Sequence, residues 1–502
     1  MNLSSAKPTS AKPISARQGV PAQQPSEPAA SLLWTGTTLP LFLRPVLRVV
    51  LMIGALSVAL TQGTASAEQI DLDVSLANPM MLSGEKEINY LRISLTGFEQ
   101  TAKGERAPVN TAIVIDNSSS MSGSKIEQAR KAAIQAVERL DDNDIVSIVL
   151  YNSSATVLVP ATKATDRESI IEKIRSVKAQ GSTALFAGVS KGAAEVRKFL
   201  SDESVNRVIL LSDGKANIGP SSPRELEQLG ASLVKEGISV STLGLGLGYN
   251  EDLMSRLASA GSGNHFFIEE ADDLIAVFNN EFNDLMSVVA TEFEIHARLS
   301  KSVRPVRVLG TKANIIGQDI HIPLVQLYSK QQRYFVVEVE VTPGEPNESL
   351  ELGDVSVEYQ NLVTNTRDKL SSAVNVRFTD DESLVKKNRN HETYAYCTIQ
   401  IANERNVRAT ALRDAGQIDE AKQLLNLNGR VLAEVEMECK DLGVAESVIP
   451  QLKINRLFNS QQAQGIENDG EWVKNRKSMR AAQSYNSAQQ RYEVKVPDSS
   501  SK

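Results

Sequence analysis

Residues 111–115 form an apolar stretch without alternation, and a strand of that kind must be covered on both faces. Similar runs recur at 145–150, 208–211 and 238–247, each followed by a helix-like segment. Short apolar runs alternating with amphipathic stretches from Val109 to about Leu285 predict an α/β domain, doubly wound around a mainly parallel sheet. The helix starts are marked by hydroxyls three residues ahead of a glutamate: Ser124 and Glu127, Thr165 and Glu168, Ser222 and Glu225. That is capping-box spacing, and Pro223 suits a first helical position. Ile126, Ala129, Ala133, Val137 and Leu140 give the first helix one apolar face.

On both sides of this region the pattern changes to period two. Ile70, Leu72, Val74 and Leu76, then Leu91, Ile93 and Leu95, alternate, as do Phe293, Ile295 and Ala297, then Phe335, Val337, Val339 and Val341, and later Val374, Val376 and Phe378. A two-stranded segment is not stable alone, so the early strands are expected to join the later ones in one β-sandwich, with the α/β domain inserted between them. A separate N-terminal extension is the alternative. From Asp381 to Leu442 the composition turns helical, and residues 409–424 read as helix, glycine turn at Gly416, helix. One such hairpin is visible and no second copy, so a repeat array is not predicted. Cys397 and Cys439 lie at nearly equal distances on either side of that turn, where a disulfide is geometrically possible. Beyond Phe458 the chain is polar and glutamine-rich, and a poorly ordered tail is expected.

The N-terminus carries a different signal. Residues 49–60 are a run of twelve mostly apolar residues, preceded by Arg44 and Arg48 and followed by Ala65, Ser66 and Ala67. A basic flank, a short apolar core and a small-residue site predict a secretory signal with an extended n-region over 1–67, and Glu68 as the mature N-terminus. The alternative is an uncleaved inner-membrane anchor, although twelve residues fall short of the ~20 that span a bilayer. Cleavage would remove five basic residues and one acid, taking the net charge from −7 to −11. An acidic mature chain argues against nucleic acid or an anionic membrane surface as partner. The expected organisation is thus signal 1–67, sandwich strands 68–107, α/β domain 108–288, β-sandwich 289–380, α-helical hairpin 381–458 and tail 459–502. The expected location is periplasmic or cell-surface.

The chemistry sits at strand ends. Directly after the first buried strand come Asp116, Asn117, Ser118, Ser119, Ser120, Met121, Ser122 and Gly123. In a parallel sheet, ligands bind at these ends. Gly181, Ser182 and Thr183 open a later helix from a loop, and Ser212, Asp213 and Gly214 end another buried strand with a carboxylate. On these three motifs, residues 109 to about 285 resemble the von Willebrand factor type A domain with its metal-ion-dependent adhesion site, in a protein of bacterial exported type. The second motif departs slightly, reading Gly-Ser-Thr where Gly-Gly-Thr is frequent, and Thr183 itself is kept.

The resemblance implies a divalent cation, Mg²⁺ or else Mn²⁺ or Ca²⁺, held by Asp116, Ser118, Ser120, Thr183 and Asp213. Mg²⁺ is a hard ion that takes six oxygens at about 2.0–2.1 Å and tends to keep water. Neutral hydroxyls from the serines leave it electron-poor, and a partner protein's Asp or Glu carboxylate can fill the open place. The implied function is non-enzymatic, metal-dependent protein binding in the cell envelope, without a small-molecule substrate. The alternative is a scaffold in which the metal only stabilises the fold and partners dock on the helical region. Hydrolysis would need a general base beside a metal-bound water. The four histidines, His265, His296, His321 and His391, are scattered without ligand spacing. The glycines at 244, 246 and 248 lack the spacing of a dinucleotide loop and read as the tail of a strand.

Overall fold

The computed structural model describes residues 69–100 and 106–489. The signal or anchor expected over 1–67 therefore lies outside the described residues. Among those described, no helix is long and apolar enough to cross a membrane.

Three strands come first: β1 (Asp71–Leu76), β2 (Met80–Leu82) and β3 (Glu87–Thr96). The α/β domain follows, with β4 (Val109–Asp116), α1 (Ser124–Glu138), β5 (Ile145–Tyr151), β6 (Ala155–Lys163), α2 (Arg167–Arg175), α3 (Leu185–Val196), β7 (Val205–Ser212), α4 (Pro223–Val234), β8 (Ser239–Leu245), α5 (Glu251–Ala260), β9 (Ser262–Ile268) and α6 (Leu274–Met286). Its sheet order is β6-β5-β4-β7-β8-β9. Every pairing is parallel except β5 with β6, an antiparallel edge hairpin in the place where a helix was expected to follow residues 145–150. β4 and β7 are buried along their whole length, and their central residues 112–115 and 208–211 are unbroken apolar runs, as a strand covered on both faces requires. Helices cover both faces, giving two separate apolar cores around the one sheet.

The second half supplies β10 (Val288–Leu299), β11 (Val303–Leu309), β12 (Asn314–Ile316), β13 (Asp319–Tyr328), β14 (Gln332–Val341), β15 (Ser349–Asn361) and β16 (Thr366–Thr379). They form two sheets, β1-β3-β14-β11 and β12-β13-β10-β15-β16-β2. β3 pairs with β1 on one side and β14 on the other, so strands from before and after the α/β domain share a sheet. One apolar core, including Leu91, Ile93, Ile295, Phe335, Val357 and Phe378, fills the space between the two sheets.

Five helices follow: α7 (Glu382–Lys387), α8 (His391–Asp414), α9 (Ile418–Leu442), α10 (Ile449–Gly465) and α11 (Trp472–Ala488). This corrects the expectation of a single hairpin and, for the described residues 459–489, of a poorly ordered tail after Phe458. The polar residues there are not solvating a free chain. Asn403, Asn406, Asn459, Gln462 and Gln483 are buried and bond to one another or to backbone, with Asn406 donating to Asn459 at 3.0 Å and Gln483 donating to Asn406 at 2.8 Å. Ala463, Ile466, Met479 and Ala482 are buried as well. A helix that satisfies its polar groups against neighbours needs no broad apolar stripe, so the composition looks disordered when it is not.

The two cysteines are a further correction, because Cys397 and Cys439 are both buried and free. They sit in the apolar cluster between α8, α9 and the outer face of the β14 sheet, and burial pushes the Cys397 thiol up to about 12. They serve as small apolar side chains.

The helix caps divide. Ser222 makes the full capping box with Glu225, and Pro223 is in the first turn. α1 instead starts from Gly123, at φ 80°, with Ser124 already helical. α2 is capped by Asp166, which accepts from the Ser169 amide, and not by Thr165. A carboxylate one position nearer the helix does the same work as a hydroxyl.

Candidate metal centre

β4 lies between β5 and β7, and the chain crosses back over β4 between them. That reversal of strand order opens a crevice at the carboxyl ends of β4 and β7, the place where α/β sheets bind ligands. Asp116 ends β4, and Asp213 directly follows β7.

After Asp116 the chain makes a short 3-10 turn over Ser119–Met121, anchored by the buried Met121 side chain. The Ser118 amide donates to Asp116 Oδ1 at 2.8 Å, and the Ser212 hydroxyl donates to Asp116 Oδ2 at 2.8 Å. The Ser118 and Ser120 hydroxyl oxygens are 3.0 Å apart, and Ser120 donates to Asp213 Oδ1 at 2.7 Å. Lys125, in the first turn of α1, contacts Asp213 Oδ2. Thr183 enters from the loop before α3. Its amide donates to Asn217 Oδ1 at 2.9 Å and its carbonyl accepts from the Asn217 amide at 3.1 Å. The Gly181 carbonyl accepts from the Ser119 amide at 3.0 Å, which ties the second motif to the first.

A Cβ placed on Gly214 would lie 3.2 Å from Thr183 Oγ1 and 3.6 Å from Ser120 Oγ. The threonine and serine hydroxyls therefore border one small space that only glycine leaves open. A Cβ on Gly248 would stand 2.7 Å from the Asp213 carbonyl oxygen, so the loop after β8 packs directly on the backbone of that acid. Thus Asp116, Ser118, Ser120, Thr183 and Asp213, drawn from three distant stretches, come together at one crevice. Asp116, Ser118, Thr183 and Asp213 are all buried.

The electrostatics suit a cation. Burial raises the Asp116 carboxyl above its ordinary value, bonds from Ser118 and Ser212 oppose this, and the Asp213 charge adds to the rise. Burial and the charges of the same two acids also push the Tyr151 hydroxyl far up. The donor set is two carboxylates and three hydroxyls, all hard oxygens, which fits Mg²⁺, Mn²⁺ or Ca²⁺ and does not fit a soft metal. Among the described residues, no group of three or more His, Cys, Asp or Glu side chains could hold a metal ion. A centre built on hydroxyls is of a different kind from such a cluster.

Sequence reasoning passed over Lys125, Ser212 as the partner of Asp116, and Asn217 as the clasp on Thr183. Only Lys125 left a readable trace, since a helix start next to an acidic strand end brings first-turn side chains toward it. The histidines stay apart from the crevice. His265 is buried, within 2.8 Å of the Thr242 hydroxyl, and His296 packs edge-on against His321 with ring centroids 4.2 Å apart. His391 lies 3.4 Å from Glu438. Gly244 does lie at the tail of β8, whereas residues 246–250 form a loop, with Gly246 at φ 71°.

Residues 110–281 match the family model of the von Willebrand factor type A domain. The uncharacterized protein sll0103 of Synechocystis sp. is 24% identical over 314 residues, covering 60% of this chain and 74% of that one. YfbK of Escherichia coli is 30% identical over 197 residues, 38% of this chain, and the match spans only 34% of YfbK. Among solved structures, a von Willebrand factor type A protein from Catenulispora acidiphila aligns with a TM-score of 0.63 at 17% identity, covering 79% of this chain and 91% of that one. The ArnB paralog VWA2 from Sulfolobus acidocaldarius aligns at 0.57 and 17% identity, covering 83% and 99%. The chain therefore contains a von Willebrand factor type A-like domain and is related to bacterial proteins that carry one. The likeness in fold extends beyond that domain.

Proposed function

We propose that this chain is a divalent-metal-dependent protein-binding module of the bacterial cell envelope. The carrying observation is the convergence of Asp116, Ser118, Ser120, Thr183 and Asp213 on one crevice at the strand-order reversal. A general protein-interaction role without catalysis agrees with the von Willebrand factor type A fold.

Ser118, Ser120 and Thr183 would offer neutral oxygens, while Asp116 and Asp213 supply the charge directly or through water. When bound, Mg²⁺, Mn²⁺ or Ca²⁺ would supply an electron-poor centre with one place left for a partner's Asp or Glu carboxylate. The remaining work belongs to the chain. Ser212 and the Ser118 amide fix the Asp116 carboxylate, Asn217 fixes the Thr183 loop, and Met121 fixes the turn between the two serines. Export through the segment 1–67 would bring the module to the periplasm or cell surface, and retention by residues 49–60 would tether it to the inner membrane.

The test is calorimetry with MgCl₂ on the metal-stripped full chain. Uptake of one cation by the wild type and none by Asp116→Ala supports the reading, and no uptake by the wild type at millimolar levels overturns it. Capture from cell-envelope extract with Mg²⁺ and with chelator then separates adhesion from scaffolding. Partner loss with chelator and in Asp116→Ala indicates adhesion through the metal. Retention in both indicates docking elsewhere, for which the exposed Met437, Leu442 and Val473 on the C-terminal helices are the available apolar surface.

A further inference from the structure

We infer that Lys125 is an internal cation that competes with the divalent metal for Asp213, so that metal uptake requires its ammonium to leave. This rests on the reading of the site given above and concerns how that site is regulated.

Lys125 stands in the first turn of α1, two residues after the capping Gly123, and its side chain reaches back to the Ser120 carbonyl and to Asp213. Its ammonium contacts Asp213 Oδ2 and lies 3.4 Å from the Ser120 carbonyl oxygen. Among the described residues it is the one cationic group paired with either acid of the site. The two partners differ in freedom. The Asp213 side chain is fully buried, whereas that of Lys125 is 33% exposed. The lysine comes in from the solvent side and can swing back to it, and the acid cannot follow. Gly246 lies beside the lysine tip, where a Cβ would come into ordinary contact at 3.9 Å from Lys125 Cε and Nζ.

The charges set the consequence. Asp116 and Asp213 place two negative charges in a buried crevice, and the ammonium offsets one of them. A dication among the same oxygens would stand within a few ångströms of that ammonium. Like charges at that range repel strongly where water is largely excluded. The free site thus holds Asp213 ready with its buried charge offset, at the expense of metal affinity. Once displaced toward solvent, the ammonium would remain beside the crevice as a positive charge available to a partner's carboxylate, so metal and acidic partner would favour each other's binding.

The test compares Mg²⁺ affinity of the metal-stripped wild type and Lys125→Met by calorimetry. The variant is expected to bind at least about tenfold more tightly and to melt at a lower temperature when metal-free. Equal or weaker binding by the variant, with the wild type binding, overturns the inference and leaves the metal reading standing. Failure of both chains to bind sinks the metal reading and this inference with it. Should Lys125→Met not fold, the wild type itself gives the answer through acetic anhydride labelling read by mass spectrometry. Labelling of Lys125 that rises on Mg²⁺ addition supports displacement, and labelling that does not change overturns it.

Discussion

Asp116 is held by the Ser118 amide and the Ser212 hydroxyl, whereas Asp213 is held by the Ser120 hydroxyl and by the partly exposed Lys125 ammonium. Two acids of one site thus have unequal surroundings, the first bonded by neutral donors alone and the second also paired with a cation. Gly214 gives a direct probe of the space bordered by the Thr183 and Ser120 hydroxyls. Gly214→Ala places a methyl 3.2 Å from Thr183 Oγ1, tighter than ordinary contact. Mg²⁺ affinity measured by calorimetry should fall about tenfold, which is about 1.4 kcal/mol, with little change in melting temperature. His265 makes a second prediction. Burial lowers its pKa from 6.5 to about 4. Above the unfolded value both states are neutral and stability does not depend on this group. As pH falls from 6.5 toward 4, the unfolded chain takes up a proton that the folded chain refuses, so stability is lost. Urea unfolding should show this group contributing a loss of about 2 kcal/mol between about pH 7 and pH 5, and His265→Gln should remove that component.

At the scale of elements, the last helix is a strap that crosses to the α/β domain. Lys477 of α11 is almost fully buried, donates to the Tyr249 carbonyl at 2.6 Å, contacts Glu251 and lies over the Tyr249 ring at 4.1 Å. Its neighbour Arg476 joins Glu251 and Asp252 of α5 to Asp414 of α8. Burial alone would raise the Glu251 carboxyl, and these cations hold it low instead. Removing one partner of such a buried pair is costly. Lys477→Ala should destabilise the chain by about 3 kcal/mol and raise hydrogen exchange over residues 472–488 and 249–260. Unchanged exchange there would show that the strap is held by its apolar contacts. Ser222→Ala, which deletes the capping box of α4, should cost only about 1 kcal/mol. The strap was not legible beforehand because Lys477 and Arg476 sit in a charged, glutamine-rich segment, and their meaning depends on acids more than two hundred residues earlier. The α4 start was legible because a cap is a contact between neighbours in sequence.

For the molecule as a whole, the seam between the α/β domain and the sandwich carries a fully buried ion pair. Arg207 of β7 pairs with Glu281 of α6 at 2.7 Å and donates to the Tyr328 hydroxyl of β13 at 3.0 Å, while Asn264 donates to the other Glu281 oxygen at 2.8 Å. The helix that closes the α/β domain is thereby tied both to the strand that ends at the crevice of Asp116 and Asp213 and to the sandwich. Glu281→Gln removes the carboxylate that pairs with the buried arginine, so it should lower stability by about 3 kcal/mol in denaturant unfolding. If occupation of the crevice is transmitted along this route, Mg²⁺ should alter hydrogen exchange over residues 274–286 in the wild type. The same exchange in the presence and absence of Mg²⁺ would show that the seam is only structural.

The buried strands, the Ser222 cap, the two alternating regions and the residues at the strand ends could be read from the chain alone, because periodicity and local spacing are properties of neighbours. Even the grouping of Asp116, Thr183 and Asp213 was accessible, since a parallel sheet sends its strand ends to one edge. Tertiary structure alone decided the rest. It chose which early strand meets which later one, β3 with β14 and β2 with β16, turned a polar tail into packed helices through amide contacts, left the two cysteines free in a shared apolar core, and set Lys125 on Asp213. Each of these depends on the energy of contacts between residues far apart in the chain, and composition and period hold no record of which distant groups will meet.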